Sequence, residues 1–262
     1  MGALYSAYAP PTVAVTDDLG QQGIQNPFTQ QTFQSHPLGF SCVYRGTTYY
    51  YCQAGGSAIA IGLGCTSAAP IANHTNIAAS VAVAIGGNIV TPTAGATATT
   101  ADQYADGWLH VNDADGEGQT RRIASNTAAD ASGTPAFTLK DALTIALTTS
   151  SEVSVVPHPY KSVIVAATTA TADVVGVTVC PLTATYYGWL ASYGPASVLV
   201  DGSDTVVIGV PVSIPAATAA NAGACGVSAV TEPDVGTVMQ VNAADEYALI
   251  NLRIRAYSHV GI

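Results

Sequence analysis

The side chains that could do chemistry are few in this chain and widely spaced. Metal binding would need histidines at ligand spacing, such as the i, i+4 pair of a helical zinc site. The five histidines form no such pair; they are His36, His74, His110, His158 and His259. The sequence therefore predicts no metal site.

Residues 113–118, Asp-Ala-Asp-Gly-Glu-Gly, resemble the start of a calcium-binding loop. An EF-hand loop needs an acidic residue at its twelfth position. Counted from Asp113, that position is Ala124. Asp and Gly readily adopt positive φ angles in tight turns. We therefore interpret the segment as a hairpin turn between strands at residues 108–112 and 120–124.

Catalytic motifs are also missing from the sequence. Residues 55–59, Gly-Gly-Ser-Ala-Ile, lack the closing glycine of a nucleophile elbow, and neither a P-loop nor a Gly-x-Gly-x-x-Gly motif occurs. So few ionisable side chains make a paired acid and base difficult to build. We expect no enzyme and no cofactor, and a hydrolase on a β-scaffold is the last of the alternatives.

The five cysteines are an odd number at irregular spacing, with no Cys-x-x-Cys pair. Cys42 and Cys52 could meet across a hairpin, which leaves one disulfide open. We favour small, buried, reduced thiols in a cytoplasm.

Composition is the most informative feature of the chain. Charged residues make up 9% of the 262 residues, against roughly 25% in ordinary soluble domains, although 48% are hydrophobic. A nearly uncharged surface promotes association, so much of this surface is expected to face other protein chains. Seven basic residues and a net charge of -10 disfavour direct binding of DNA or RNA. No apolar stretch approaches the roughly 20 residues of a transmembrane helix.

Short β-branched and aromatic segments between turn residues predict an all-β fold of one or two sandwich- or barrel-like modules with an extended N-terminal arm. Residues 1–40 are polar and aperiodic, and such an arm would lie either on its own body or on a neighbouring subunit. We favour a neighbouring subunit or the shell of an assembly. Short helical turns are predicted only at residues 141–148 and 216–221. Strands are predicted at residues 42–45, 47–52, 58–61, 81–90, 107–112, 120–124, 136–139, 152–156, 162–166, 174–180, 186–193, 197–200, 205–208, 227–231, 236–241 and 246–253.

A Gly-Trp-Leu triplet occurs twice, at residues 107–109 and 188–190, each time shortly after a tyrosine. Two related modules or chance would explain the repeat. Pro157 and Pro159 cannot donate ladder hydrogen bonds, which favours a boundary there. The predicted organisation is an arm at residues 1–40, a first β-module at 41–156 and a second at 157–262.

The C-terminal half resembles the capsid decoration (cement or head-stabilising) proteins of tailed bacteriophages. The resemblance rests on an aromatic-Trp-Leu run with a Gly-Pro pair and an apolar strand ending in Asp-Gly, then Val-Gly-x-Val and Glu-Tyr-x-Leu-x-x-Leu strands. These segments are residues 186–202, 209–212, 235–239 and 246–253, with fainter matches at 103–113 and 157–161. It covers about 150 residues and leaves the first 40 unmatched.

The resemblance implies a structural virion protein on the outer capsid surface, made in the bacterial cytoplasm. Such a protein would bridge subunits of the major capsid protein as a homotrimer at three-fold positions, with no membrane contact. Aromatic strand residues are more often core than contact residues, but we expect one or two at the interface. The candidate partner-binding residues are Tyr5, Tyr8, Pro10, Pro11, Phe28, Phe33, Tyr49, Tyr51 and Trp189.

Three other interpretations remain at this stage. The chain could be a different virion protein, such as a head fibre, tail tube or tail-tip protein. It could be a carbohydrate-binding module for host adhesion, which would expose aromatic side chains on one face. The major capsid protein itself is disfavoured, because its usual fold needs a long helix and no sustained helical period is present.

Overall fold

The structure is a computed structural model that describes residues 14–16, 22–24, 26–170, 172–215, 221–228, 234–243 and 245–254 of the chain. The chain divides into two compact units. Unit 1 is discontinuous and combines Met1–Ser67 with Ser162–Ile262, whereas unit 2 is the continuous segment Ala68–Lys161. The predicted all-β fold is confirmed, because the described elements are strands apart from one short 3-10 helix at Ala72–His74.

Unit 1 contains a two-stranded ribbon and one large antiparallel sheet. The ribbon pairs β1 (Ala14–Thr16) with β2 (Gln22–Ile24). The sheet has the order β12-β5-β13-β14-β18-β17-β15-β16, and β4 joins its β14 to β3. Its strands are β3 (Ser41–Tyr44), β4 (Thr47–Gln53), β5 (Gly64–Thr66), β12 (Ile164–Val165), β13 (Val174–Thr178), β14 (Tyr187–Leu199), β15 (Pro211–Ser213), β16 (Gly226–Val227), β17 (Asp234–Gln240) and β18 (Tyr247–Arg253).

The 13-residue strand β14 organises unit 1. Its first half pairs with β4 and β13, and its second half pairs with β18. Alternate side chains of the second half are buried and exposed, which is the pattern of a strand with one face on the core. The sheet also curls, because Cys225 N donates to Leu199 O and Gly64 N donates to Gly223 O.

Unit 2 contains a six-stranded antiparallel sheet in the order β6-β11-β8-β9-β10-β7. Its strands are β6 (Ile77–Ala78), β7 (Ile89–Val90), β8 (Trp108–Asp113), β9 (Thr120–Asn126), β10 (Phe137–Leu139) and β11 (Glu152–Val156).

The unit 2 sheet curls until its two edges meet. Next to the edge strands, Ser80 N donates to Thr91 O at 2.8 Å and Thr93 N donates to Ala78 O at 2.9 Å. Linking the edges removes the unpaired backbone groups that an open sheet exposes. The curled sheet encloses one hydrophobic core; its members are Ile77, Val83, Val90, Tyr104, Leu109, Val111, Ile123, Phe137, Leu139, Leu143, Leu147, Val153 and Val155.

Unit 2 is an insertion between two neighbouring strands of unit 1. Strand β5 ends at Thr66, just before unit 2 begins, and β12 starts at Ile164, just after it ends. These two residues are register partners in an antiparallel pair. The chain therefore leaves and re-enters unit 1 at adjacent points.

This division differs from the predicted modules. The boundary predicted at residue 156 lies close to the end of unit 2 at Lys161. However, β3 and β4, which were assigned to the first module, pair with each other and through β4 with β14 of unit 1. That pairing joins residues more than 130 positions apart, which local sequence patterns do not reveal.

Several local predictions are wrong. Residues 141–148 are not helical; they run beside residues 83–87, with hydrogen bonds in both directions between Val83 and Leu147. Residues 58–61 and 205–208 are not strands, and only Ile89–Val90 is a strand within residues 81–90. The strands predicted at 186–193 and 197–200 are one strand, β14. Residues 216–220 of the other predicted helical turn lie outside the described residues.

The predicted hairpin turn at residues 113–118 is confirmed. It joins β8 to β9, which pair antiparallel, and Gly116 and Gly118 have φ angles of 83° and 82°. Ala114, rather than an aspartate, has a third positive φ in this turn. Asp113 Oδ1 accepts a hydrogen bond from Ala114 N at 2.8 Å, which is a typical Asx contact.

The predicted burial of the cysteines is confirmed, since all five are buried, and the structure pairs none of them. Burial raises the pKa of the Cys42, Cys65 and Cys225 thiols to about 12. Cys42 lies opposite Tyr49 in the hairpin, so its register partner is not Cys52.

Candidate partner-binding surfaces

Residues 26–40, which we call the strap, lie against unit 1 of the same chain. Gln31 and Tyr187 exchange two backbone hydrogen bonds of 2.8 Å. Gln30 Oε1 accepts from Thr183 N at 2.7 Å, and Gly39 N donates to Tyr51 O at 2.8 Å. The expectation that the arm lies on a neighbouring subunit is therefore wrong for the strap. Residues 1–13, 17–21 and 25 of the predicted arm lie outside the described residues.

The strap covers an aromatic cluster around Trp189. The Trp189 ring contacts Tyr51 at a centroid distance of 5.2 Å, His36 at 5.8 Å and Phe40 at 6.4 Å. His36 stacks on Phe40 with their rings 5.0 Å apart, so both strap rings belong to the cluster. Edge-to-face and offset ring pairs add about 0.5–1.5 kcal/mol each beyond the area they bury. The strap is thus fixed by aromatic packing as well as by backbone hydrogen bonds.

Tyr51 connects the strap to the sheet through its hydroxyl. The Tyr51 Oη accepts a hydrogen bond from Ser35 N at 3.0 Å, and the two hydroxyl groups of Tyr51 and Ser35 are 3.1 Å apart. The Trp189 Nε1 beneath is buried without a hydrogen-bond partner among the described residues. Burial lowers the pKa of His36, because the charged imidazolium would lose its water. The cluster therefore favours neutral His36.

The structure separates the predicted partner-binding residues into three groups. Phe28 and Phe33 lie on the strap with 48% and 64% of their surfaces exposed. Tyr49, Tyr51 and Trp189 lie in the core, so their rings are not available to a partner in this conformation. Tyr5, Tyr8, Pro10 and Pro11 lie outside the described residues. Phe28 packs edge-on to Tyr44 and Tyr49, with ring centroids 6.3 and 6.1 Å apart.

Unit 2 places its tryptophan in a polar environment. Trp108 begins β8 and pairs with Arg122 of β9. The Arg122 guanidinium lies 5.6 Å from the Trp108 ring centroid, a cation–π contact. The buried His158 ring stacks on Trp108 with centroids 5.7 Å apart. Trp108 is half-buried within this stack.

Asp106 carries the charge of this region. Lys140 Nζ donates to Asp106 Oδ1 at 2.6 Å, and Arg122 Nε lies 3.8 Å from the same oxygen. Partial burial raises the pKa of Asp106, but the Lys140 hydrogen bond and the charges of Lys140 and Arg122 outweigh it and hold the pKa below its usual value. Two of the four Lys and Arg side chains of unit 2 are therefore engaged by this one carboxylate.

A second surface of unit 2 was not predicted from the sequence. Residues 68–161 are all described, and their exposed large apolar side chains are Val81, Ile85, Ile89 and Ile145, each between 51% and 69% exposed. We call these four residues the aliphatic ridge. The sequence signal is the apolar run at residues 81–90, which the sequence analysis predicts as a strand.

His74 shows how a buried polar group of unit 2 is satisfied. Its Nε2 lies 3.0 Å from Thr97 O, so this nitrogen donates, and its Nδ1 accepts from the Tyr104 hydroxyl at 2.5 Å. The imidazole is thereby a structural link between a loop and the core. Over the described part of the chain, no group of three or more His, Cys, Asp or Glu side chains is placed to hold a metal ion.

No known family matches the chain by sequence, and neither a curated protein nor a solved structure matches it. Among the described residues, no helix is long and apolar enough to cross a membrane.

Proposed function

We propose that this chain is a structural virion protein that decorates a tailed-phage capsid and bridges subunits of the major capsid protein. The observation that carries the proposal is the apolar, weakly charged character of the protein surface. Large apolar side chains stand exposed on both units, on an all-β scaffold in which only 9% of residues are charged. Such a surface is suited to lasting burial against other chains, since exposed apolar patches typically mark interaction sites.

The proposed partners are the major capsid protein and further copies of this chain in a trimer. Transfer of apolar side chains out of water is favourable, whereas buried charges cost several kcal/mol each unless they are paired. Attachment through several separated contacts would raise avidity, because each contact increases the effective concentration of the next. Phe28 and Phe33 are the predicted contact residues that the structure leaves exposed.

The test uses capsids of the phage that encodes this chain, prepared from a mutant that lacks its gene. Purified chain should bind these shells in co-sedimentation, and cryo-electron microscopy should show it at three-fold positions of the outer surface. Decorated shells should retain packaged DNA to a higher temperature than bare shells. Failure to bind would contradict the proposal, and a ring of six copies at the tail would indicate a tail protein.

A carbohydrate-binding role is the second candidate, and Trp108 is the observation that favours it. This half-buried indole lies beside an arginine and an ion pair, and aromatic rings next to planar polar groups suit sugar binding. A glycan array would test this role: binding that is lost in W108A would support it. The ring already stacks on His158, which leaves it less area for a sugar than an open platform would have.

A further inference from the structure

The aliphatic ridge is formed by two neighbouring segments of unit 2. Val83 and Leu147 exchange backbone hydrogen bonds, and Gly86 N and Gly87 O bond to Leu143 O and N. Ile85 and Ile145 lie between these two sets of bonds, on opposite segments. Val81 lies on the same loop as Ile85, and Ile89 begins β7 where that loop ends. The two ends of this stretch are joined by the hydrogen bond from Ser80 N to Thr91 O. The exposed aliphatic side chains of unit 2 are thus gathered in one region.

A buried glutamine holds this region in place. Gln119 is 8% exposed, and its Oε1 accepts from Thr144 N at 2.9 Å and from Ile145 N at 3.1 Å. Its Nε2 donates to Ile145 O at 3.1 Å and to Gly116 O at 3.1 Å. Both backbone groups of Ile145 are therefore fixed by one side chain. A preorganised surface loses less conformational entropy on binding, which favours association.

Arg121 reinforces the same segment from the outside. Its Nε donates to Ala142 O at 2.9 Å, and its Nη2 donates to the Thr144 hydroxyl at 3.0 Å. Its Nη1 donates to Thr120 O at 2.9 Å. The Arg121 guanidinium thus stabilises the segment that carries Ile145 of the ridge.

The border of the ridge is acidic. Asp141 precedes Ala142, and Asp115 and Glu117 belong to the turn that packs on this segment, where Asp115 Oδ2 accepts from the Thr148 hydroxyl at 3.0 Å. All three carboxylates are exposed, and none has a cation within salt-bridge distance among the described residues. The neighbouring Lys140 is paired with Asp106. With Arg121 included, three negative charges stand against one positive charge.

We propose that the aliphatic ridge is the docking surface for a different protein, whose contact surface is apolar and bordered by Lys or Arg. The charge distribution decides between this partner and a second copy of the chain. Two ridges facing each other would bring one acidic border onto another in a chain of net charge -10, and like charges at an interface are unfavourable. A basic border would instead form complementary pairs around the apolar contact. The inference goes beyond the proposed function, because it holds whether or not the partner is a capsid subunit.

The test uses two fluorescent amphipathic peptides as probes. Each carries a leucine stripe, which is bordered by lysines in one peptide and by glutamates in its twin. The lysine peptide should bind the full-length chain in an anisotropy titration, with an affinity about tenfold higher than its twin, and raising the salt concentration should weaken it. Equal binding of both peptides, or binding of neither, would overturn the proposal.

Variants locate the binding surface. The double substitution I85S/I145S should lower the affinity for the lysine peptide by about tenfold or more. V43S/Y193S, at equally exposed positions of unit 1, should leave this affinity unchanged. Circular dichroism checks that each variant folds, which is expected because substitutions at exposed positions usually change stability little. The charge reversal E117K/D141K should invert the preference between the peptides. Equal loss in the unit 1 control would place the contact elsewhere.

Sedimentation velocity tests the second-copy alternative directly. If the chain forms dimers that I85S/I145S dissolves, the ridge is a self-association surface and the proposal is wrong. A shell-binding assay separates this inference from the proposed function. A chain that binds the lysine peptide but not the shells would support the ridge as a docking surface and contradict the proposed capsid function.

Discussion

Trp108 and Trp189 occupy the same Gly-Trp-Leu triplet in the two units, and their surroundings are opposite. The leucines agree: Leu109 and Leu190 are both in a core. The glycines also agree, because a Cβ at Gly107 would lie 2.2 Å from Val156 O and one at Gly188 would lie 2.4 Å from Leu182 Cδ2. Trp189, however, is covered by the strap, whereas Trp108 faces His158 and Arg122.

The difference shows that one local pattern yields two kinds of surface, depending on what the rest of the chain lays over it. In unit 1 a distant segment supplies His36 and Phe40, and the outer face becomes part of the core. In unit 2 the neighbouring strand supplies an arginine, and the outer face remains charged and partly exposed.

Replacing the two tryptophans should have unequal effects on stability. W189A should lower the free energy of unfolding by about 3–5 kcal/mol, as expected for removing a fully buried indole. W108A should cost about 1–2 kcal/mol, because the Trp108 ring is already partly exposed and stacked on a polar neighbour. Guanidinium unfolding followed by circular dichroism measures both. Equal losses would show that the strap contributes no real burial to Trp189.

Strap packing should depend on pH through His36. Its pKa is lowered in the folded state, so the stabilisation is present above the ordinary value of 6.5 and is lost as the pH falls through the folded-state pKa. Below that range we expect acrylamide to quench Trp189 fluorescence more strongly, measured in a W108F background that leaves a single indole. H36F keeps the ring and cannot titrate, so its quenching should not change with pH. An unchanged pH response in H36F would assign the effect to another group.

The ion pair under Trp108 should contribute little and should be sensitive to acid. The pKa of Asp106 is lowered, so its contribution is present above the ordinary value of 3.8 and is lost as the pH falls through the folded-state pKa. D106N should lower the Tm slightly at pH 7, by the equivalent of about 1 kcal/mol or less for an exposed pair, and should match the wild type at low pH. D141N, at an exposed carboxylate without a cation partner among the described residues, is the control. A larger effect of D141N would contradict this assignment.

Removing unit 2 should have the smallest effect on unit 1. Thr66 and Ile164 are register partners, so a short glycine–serine linker can replace residues 68–161 without stretching the chain. Unit 1 should then keep its β-sheet circular dichroism and its unfolding midpoint. The isolated 68–161 segment should also fold, since its sheet edges are joined and its core is its own. Collapse of unit 1 after excision would show that the two units are not independent.

The sequence predicted the all-β class because strand residues such as Thr47–Gln53 and Tyr247–Arg253 carry their β-propensity locally. It failed where distant pairing or a buried polar group decides the structure. Residues 141–148 have apolar side chains at helix-compatible spacing, yet hydrogen bonds to Val83 and Gly86 and to the Gln119 amide hold them extended. A hydropathy pattern does not reveal that the Gln119 side chain makes six hydrogen bonds.

The candidate partner-binding surface was predicted only in part, again because segments distant in sequence decide which side chains are buried. Phe28 and Phe33 were identified as aromatic residues in a polar arm, and the structure leaves them exposed. Tyr49, Tyr51 and Trp189 were chosen by residue type alone, and their burial depends on a strap that lies at least 149 positions from Trp189 in sequence. The aliphatic ridge was not predicted, because residues 81–90 read as one apolar strand by hydropathy, whereas Gly86 and Gly87 interrupt this run.

All five thiols of the molecule belong to unit 1, and unit 2 contains none. Because each is buried and the pKa values of Cys42, Cys65 and Cys225 are about 12, a disulfide reagent finds almost no reactive thiolate in the native chain. The rate of labelling by such a reagent therefore measures how often unit 1 opens, while unit 2 remains silent. The wild-type protein thus carries an opening-rate reporter for one half of its own structure, with no label to be introduced.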